Sequence, residues 1–196
     1  MSSNLRGHGG HLSFEERCRL LRQNPLTIWF TGLSGAGKST LAFALERRLV
    51  TDGHAAFVLD GDNVRHGLCS DLDFSSGARS ENIRRVAEVA RLFNEAGLVS
   101  ICSLISPFFH DREMARNIIG ADRYLEVYVA TPLPECERRD VKGLYAKARA
   151  GELSNFTGVD MPYEIPLSPA CQVDTSCMSV DACVDQIVAN MVGRLS

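Results

Sequence analysis

At 196 residues, 45% hydrophobic and 23% charged, the chain has the make-up of one soluble globular domain able to bury a sizeable core. A net charge of −3 argues against non-specific nucleic-acid binding, and no apolar run approaches the roughly 20 residues that span a bilayer. Seven cysteines, with no C-x-x-C pair, read as reduced thiols in apolar patterns, Cys102, Cys136 and Cys183 among them, rather than as a disulfide framework.

Residues 1–24 are expected to form an N-terminal arm ahead of a single domain over 25–196. Met1 to His11 are polar and glycine-rich with no signal-peptide core, so a cytoplasmic location is expected. His8 and His11 read as part of that arm, in preference to a metal site. Residues 12–24 have the pattern of a short amphipathic helix. Thr27-Ile28-Trp29-Phe30 then reads as a buried strand. It runs into Gly32-Leu33-Ser34-Gly35-Ala36-Gly37-Lys38-Ser39, which matches G-x-x-x-x-G-K-[ST], the P-loop. A helix is predicted after Lys38, with Leu41, Ala42, Leu45 and Leu49 on one face and Gly53 closing it.

Glycines there let backbone N–H groups approach phosphate oxygens, and the helix N-terminus adds partial positive charge. Residues Gly32 to Thr40 are therefore the candidate nucleotide-binding loop, with Lys38 for the β- and γ-phosphates and the Ser39 hydroxyl for Mg²⁺.

A second strand over Ala55–Leu59 ends at Asp60-Gly61-Asp62-Asn63. Asp60 and Asp62 can order a Mg²⁺–nucleotide or accept a proton from an acceptor hydroxyl; a plain turn is the alternative. Phe74, and later Phe156, sit in polar loop-like stretches, where an exposed ring can stack on a purine or pack within its loop. A long helix is predicted over 79–96, with Ile83, Val86, Ala87, Ala90 and Phe93 recurring at helical spacing. Arg79 and Asn82 share a face at its start. With Arg65 they form a candidate anion-binding group, or solvated surface charges.

Leu98 to Ile105 reads as a third strand, followed by Ser106-Pro107. A helix over 110–119, a fourth strand over 124–130 stopped by Thr131-Pro132, and a short helix over 132–139 come next. Lys142 to Gly151 looks helical and polar. Arg138, Arg139, Lys142, Lys147 and Arg149 suit a lid over phosphates, or a solvated helix. Residues 155–169 read as a loop, Cys171–Asp174 as a fifth strand. Ser179 is a candidate N-cap for a last helix burying Val180, Cys183, Val184, Ile187, Val188 and Met191.

Strands alternating with helices predict a three-layer α/β fold of the P-loop nucleoside triphosphate hydrolase type: a mostly parallel five-stranded sheet with helices on both faces. In such sheets ligands sit beyond the strands' carboxyl ends, which gathers the loop from Gly32, Asp60, Asp62, Ile105, Ser106 and Thr131 into one region.

The motifs in this order resemble the adenylylsulfate kinases. The resemblance is carried by Ile28 to Thr40, Asp60-Gly61-Asp62-Asn63-Val64-Arg65, Asp71-Leu72-Asp73-Phe74-Ser75 and Arg79 to Arg85. It continues in Leu104-Ile105-Ser106-Pro107-Phe108, Arg139 to Tyr145, Phe156-Thr157-Gly158-Val159-Asp160 and Pro162-Tyr163-Glu164. It implies transfer of the γ-phosphoryl of ATP, with Mg²⁺, to the 3′-hydroxyl of adenosine 5′-phosphosulfate in sulfate activation. It further implies that Asp62, Arg65, Arg79 and Asn82 hold the phosphosulfate substrate, with Ile105, Ser106 and Lys142 beside it. Phe74 and Phe156 would sandwich its adenine, Ser39 and Asp60 would serve the metal, and a lid would span about 140–166. Lys38, Asp62 and Ser106 are the expected catalytic residues, Asp62 orienting the 3′-hydroxyl or taking its proton. Ser106 matches a serine often described in the family as a phosphoserine intermediate; direct in-line transfer is preferred here, because a relay would need its own base. Phe109 stands where the family usually has an arginine, and Ile165 where proline is common. A homodimer and association with ATP sulfurylase are expected, with no nucleic-acid or membrane partner. The competing readings are a gluconate- or nucleoside-type kinase and a nucleotide-gated binding protein.

Overall fold

The computed structural model describes residues 10–195, so His8 and the start of the predicted arm lie outside the described residues. Five strands, β1 (Thr27–Thr31), β2 (Ala56–Asp60), β3 (Val99–Ser103), β4 (Tyr124–Val129) and β5 (Cys171–Val173), form one sheet in the order β2-β3-β1-β4-β5. Every pairing is parallel. Among the described residues eight α-helices connect or flank them: α1 (Phe14–Leu21), α2 (Lys38–Thr51), α3 (Gly61–Arg65), α4 (Ser76–Glu95), α5 (Phe109–Ile119), α6 (Leu133–Arg139), α7 (Leu144–Arg149) and α8 (Val180–Ala189).

The central strand β1 is buried along its whole length, which is why it reads as an unbroken apolar run. Its side chains divide between two cores. Ile28 and Phe30 join Leu41 and Leu45 of α2 and Val184 and Ile187 of α8. Trp29 joins Val86 and Ala90 of α4 and Ala115 of α5 on the other face. The sheet is thus sandwiched between helical layers, and ligands are left the strand ends. Register aligns those ends: Phe30 pairs with Ser103, Ser103 with Asp60, and Thr31 with Tyr128.

At the opposite end, buried Gln23 ties the segment after α1 to the sheet. Its side-chain oxygen accepts from Ala55 N–H at 2.7 Å, and its amide nitrogen donates to Ala55 O and Gly97 O at 3.0 and 2.8 Å.

Several boundaries differ from the sequence reading. Helix α4 starts at Ser76 instead of 79, because Ser75 caps it by accepting from Ala78 N–H at 3.3 Å. Phe93 is only partly buried and meets Phe57 of edge strand β2 edge-on, ring centroids 5.8 Å apart. Ser179 does cap α8, but Val180 is exposed at the first turn. The five-residue α3 was not anticipated; a turn was the alternative weighed there. Of the seven cysteines, five are buried, Cys18 is half-buried and Cys177 is exposed, and all are free thiols. Among the described residues no helix is long and apolar enough to cross a membrane.

Where β1 leaves the sheet, Gly32 has φ +149°, and a Cβ built there would lie 2.6 Å from Val129 O. Strand β4 would have to move. Gly32→Ala is therefore expected to cost about 2 kcal/mol or more, lowering Tm by about 4–8 °C; a thermal unfolding curve superposing on that of the unmodified protein would contradict this packing.

Candidate active site

The phosphate loop is built on left-handed glycines, Gly35 at φ +74° and Gly37 at φ +98°, the latter standing at the N-cap of α2. Lys38 is buried, and its Nζ donates to Gly32 O at 2.9 Å and Leu33 O at 2.7 Å. Burial pushes its pKa down to about 8, against the raising influence of nearby Asp60 and Asp62. Gly32, Leu33 and Ala36 do not line the cleft. Two of them supply the carbonyls that hold Lys38, and Ala36 O accepts from Thr131 and Thr175 hydroxyls at 3.0 and 2.9 Å. Ser34, Gly35, Gly37, Lys38, Ser39 and Thr40 do line it.

Ser39 Oγ donates to Asp60 Oδ2 at 2.7 Å. The other oxygen of Asp60 accepts from the N–H groups of Asp62 and Asn63 at 3.1 and 3.4 Å, which makes Asp60 the N-cap of α3. Asp60 is buried and Asp62 exposed, so the two carboxylates of the D-x-D pair have different tasks. A hydroxyl and a buried carboxylate in contact are hard oxygen donors suited to Mg²⁺, which takes one or two protein oxygens and completes its shell with water and phosphate. Among the described residues no cluster of three or more His, Cys, Asp or Glu forms a closed metal cage.

The remaining candidates converge on the same cleft, of about 580 Å³. The Arg65 guanidinium lies 4.5 Å from the Phe74 ring centroid and that of Arg79 lies 5.9 Å from it. Arg79 is anchored by Phe74 O at 2.9 Å and Asn155 O at 2.7 Å, and its hold on its proton is weakened by burial first and by Arg65 second. Asn82 is buried, and its Oδ1 has no hydrogen-bond partner among the described residues. Phe74 is 60% exposed, as expected of a stacking platform. Phe156 is not: it is buried, packed edge-on against Tyr145 with centroids 4.9 Å apart, although it still lines the cleft.

On the β3 side, Ile105 O accepts from Gly32 N–H at 3.4 Å and Thr31 Oγ1 at 2.8 Å, fastening the loop after β3 to the end of β1. Ser106 is buried and left-handed at φ +38°, a conformation that costs a non-glycine residue about 1 kcal/mol. The Trp29 indole N–H donates to its Oγ at 3.1 Å.

The basic segment 138–149 is less free than its sequence suggests. Arg138 pairs with Glu135, Arg149 with Glu137, and Lys142 with Asp62. Arg139 is fastened to Glu135, Gly35 O and Thr175, holding the outer side of the phosphate loop. Sequence reasoning gave Arg139 only as one of the lid's cations and passed over Tyr145, whose hydroxyl donates to Ser34 O at 3.0 Å. It also passed over Arg112, whose three partners are 6, 14 and 52 residues away in the chain. Phe109 is exposed and does not line the cleft, so the residue found in place of the usual arginine stands apart from the candidate substrate groups.

The family model described as adenylylsulphate kinase matches residues 24–174. An adenylyl-sulfate kinase of Aeromonas salmonicida is 54% identical over 186 residues, 95% of each chain, and one of Marinobacter nauticus is 52% identical over 98% of this chain and 96% of its own. The structure of the Mycobacterium tuberculosis APS kinase CysC in complex with AMPPNP and APS superposes with a TM-score of 0.82 at 46% identity, covering 86% of this chain and 98% of that one.

The depressed pKa of Lys38 sets a pH dependence. Below about pH 8 the folded and unfolded chains both hold the proton. Between about 8 and the ordinary 10.5 only the unfolded chain does, so Lys38's contribution to stability rises with pH in that window. Phosphate binding needs the ammonium and runs the other way. Titration calorimetry near pH 9, in buffers of different ionisation enthalpy, is expected to show proton uptake of up to about one equivalent on ATP binding, absent in Lys38→Arg. Equal uptake in both proteins would refute it.

Proposed function

The chain belongs to the adenylylsulphate kinase family, and we propose that its cleft performs the family's phosphoryl transfer through the residues assigned below. An adenylyl-sulfate kinase moves the γ-phosphoryl of ATP to the 3′-hydroxyl of adenosine 5′-phosphosulfate, giving 3′-phosphoadenosine 5′-phosphosulfate and ADP.

In the proposed arrangement the loop N–H groups, the N-terminus of α2 and Lys38 bind the triphosphate and stabilise charge on the transferring group. Lys38, held at the loop by the Gly32 and Leu33 carbonyls, would exchange these two acceptors for phosphate oxygens. Ser39 and Asp60 would hold Mg²⁺, which supplies charge neutralisation at the phosphates when bound. Asp62 orients the 3′-hydroxyl and accepts its proton as transfer proceeds. Ion pairing with Lys142 keeps that carboxylate at the mouth of the cleft.

Arg65, Arg79 and Asn82 grip the phosphosulfate substrate, with Ile105 and Ser106 beside it. Phe74 presents an exposed face for the adenine, and Phe156, braced by Tyr145, forms the opposing wall. Residues from about 140 to 166 act as the lid, shedding water so that transfer goes to the acceptor and not to hydrolysis. In this reading the chain works in the cytoplasm as a homodimer, supplied by the ATP sulfurylase whose product is its substrate.

One observation carries the assignment: the cleft that holds the phosphate loop is also lined by two guanidiniums against an exposed phenyl ring and by a buried amide oxygen with no partner among the described residues. A sugar acid such as gluconate carries one carboxylate and no ring to stack, so it matches a single cation and leaves the phenyl ring unused, and a nucleotide-gated switch needs no second pocket.

Coupled ADP release across adenosine phosphosulfate, AMP and gluconate is expected to favour the first strongly; a higher rate on gluconate would overturn the substrate. Lys38→Ala is expected to lower turnover by about three orders of magnitude. Ser106→Ala is expected to slow transfer while leaving measurable product, as direct transfer requires; complete loss with both ligands still bound would favour a phosphoserine relay.

A further inference from the structure

Ser106 holds a backbone conformation that its surroundings must impose. Two groups donate to its carbonyl: Thr31 Oγ1 at 3.2 Å and Arg112 Nη1 at 2.9 Å. Arg112 lies on α5, one turn from the N-cap Phe108, and is only 2% exposed. Its Nε faces Glu126 Oε1 of β4 at 3.1 Å, and its Nη2 donates to Glu164 O at 2.9 Å, while the Tyr163 ring lies 6.0 Å away. Glu164 reciprocates. Its N–H donates to Pro107 O at 2.9 Å, and its carboxylate accepts from Phe109 N–H at 2.5 Å, capping a helix whose own N-cap residue offers no side-chain acceptor. One planar guanidinium thus joins the sheet, the left-handed serine and the far end of the loop assigned as the lid.

We propose that Arg112 is a positioning residue for the phosphoryl transfer: through the Ser106 carbonyl it fixes the Ser106 hydroxyl in the cleft, and through Glu164 it anchors the carboxyl-terminal end of the lid. An ion pair with Glu126 alone would be satisfied by Nε; the two remaining contacts are directed at main-chain carbonyls of active-site and lid segments. They demand the fork of an arginine, since a lysine presents a point charge that cannot span both carbonyls and Glu126. The proposal rests on reading Ser106 as an active-site residue.

The chain contains a single tryptophan, and its indole N–H donates to Ser106 Oγ. The one indole cross-peak in a ¹H–¹⁵N spectrum of the nucleotide-free protein therefore reports on Ser106, with Ser106→Ala as the reference shift. Arg112→Met and Arg112→Lys are both expected to move that cross-peak and to lower kcat by about 10- to 100-fold, with KM for ATP held within about twofold. Arg116→Met, which removes an exposed arginine of the same helix, is expected to change neither. If Arg112→Met does not fold, Arg112→Lys decides, because it keeps a cation beside Glu126. An unmoved cross-peak, an unchanged kcat, or a KM for ATP rising in step with the fall in kcat would overturn the proposal. Wild-type turnover in Ser106→Ala would instead defeat the catalytic reading of Ser106, whatever the spectrum of the Arg112 variants shows.

Discussion

Parallel pairing of a fully buried central strand is the constraint from which the site follows. Strand β1 is covered on both faces by apolar clusters, so a solvated ligand can meet it only at its end. Its register with β3, and that of β3 with β2, then places the ends of three strands side by side. The phosphate loop leaves β1, the capping carboxylate of Asp60 ends β2, and the Ser106 loop leaves β3. Cross-links at this level are short and polar: Ser39 to Asp60, Gly32 to Ile105, Trp29 to Ser106. A slip in the strand pairing would break all three together.

The same geometry concentrates positive charge in a chain of net charge −3. Arg65 and Arg79 share one phenyl ring, and Lys38 lies buried in the same cleft. Burial weakens the proton affinity of both Arg79 and Lys38, and Arg65 adds repulsion at Arg79. Holding Arg65 and Arg79 close together is unfavourable, and an anionic ligand placed between them would relieve that repulsion. The cations of the 138–149 segment do not add to this field in the same way. Arg138 and Arg139 share Glu135, Arg149 pairs with Glu137 and Lys142 with Asp62, so this segment is fastened by its charges more than it is a basic patch.

What could be read from the sequence was whatever depends on neighbours a few residues apart. The glycine turn leading into α2, the burial stripe of α2, the shared face of Arg79 and Asn82 and the Ser179 cap all rest on local spacing, and the structure has each of these local features. Helix α3 escaped because its cap is Asp60, whose Asp-Gly context equally suits a turn. For Phe156 the choice between stacking and packing stayed open because its cover, Tyr145, comes from helix α7, and the anchoring of Arg139 was missed because its partners Gly35 and Thr175 lie 104 and 36 residues away. The left-handed backbone of Ser106 leaves no local mark, since the residue is neither glycine nor asparagine. Such features arise from contacts between segments, to which periodicity is blind.

That backbone conformation bears on the choice between direct transfer and a covalent relay. To act as a nucleophile, a serine hydroxyl needs a base to take its proton. The side-chain contact described for Ser106 Oγ is with the indole of Trp29, which can only donate. Among the described residues the hydroxyl accepts from tryptophan, and no side-chain base is found against it to take its proton. A group so arranged suits the stabilisation of a phosphate or sulfate oxygen, not attack on phosphorus. Asp62 is the carboxylate at the cleft mouth with an exposed oxygen, and it is better matched to the proton of an acceptor hydroxyl. In the proposed mechanism a donor at Ser106 and an acceptor at Asp62 would divide the work of a single in-line displacement, which would give the enforced geometry at Ser106 a purpose without a phosphorylated enzyme.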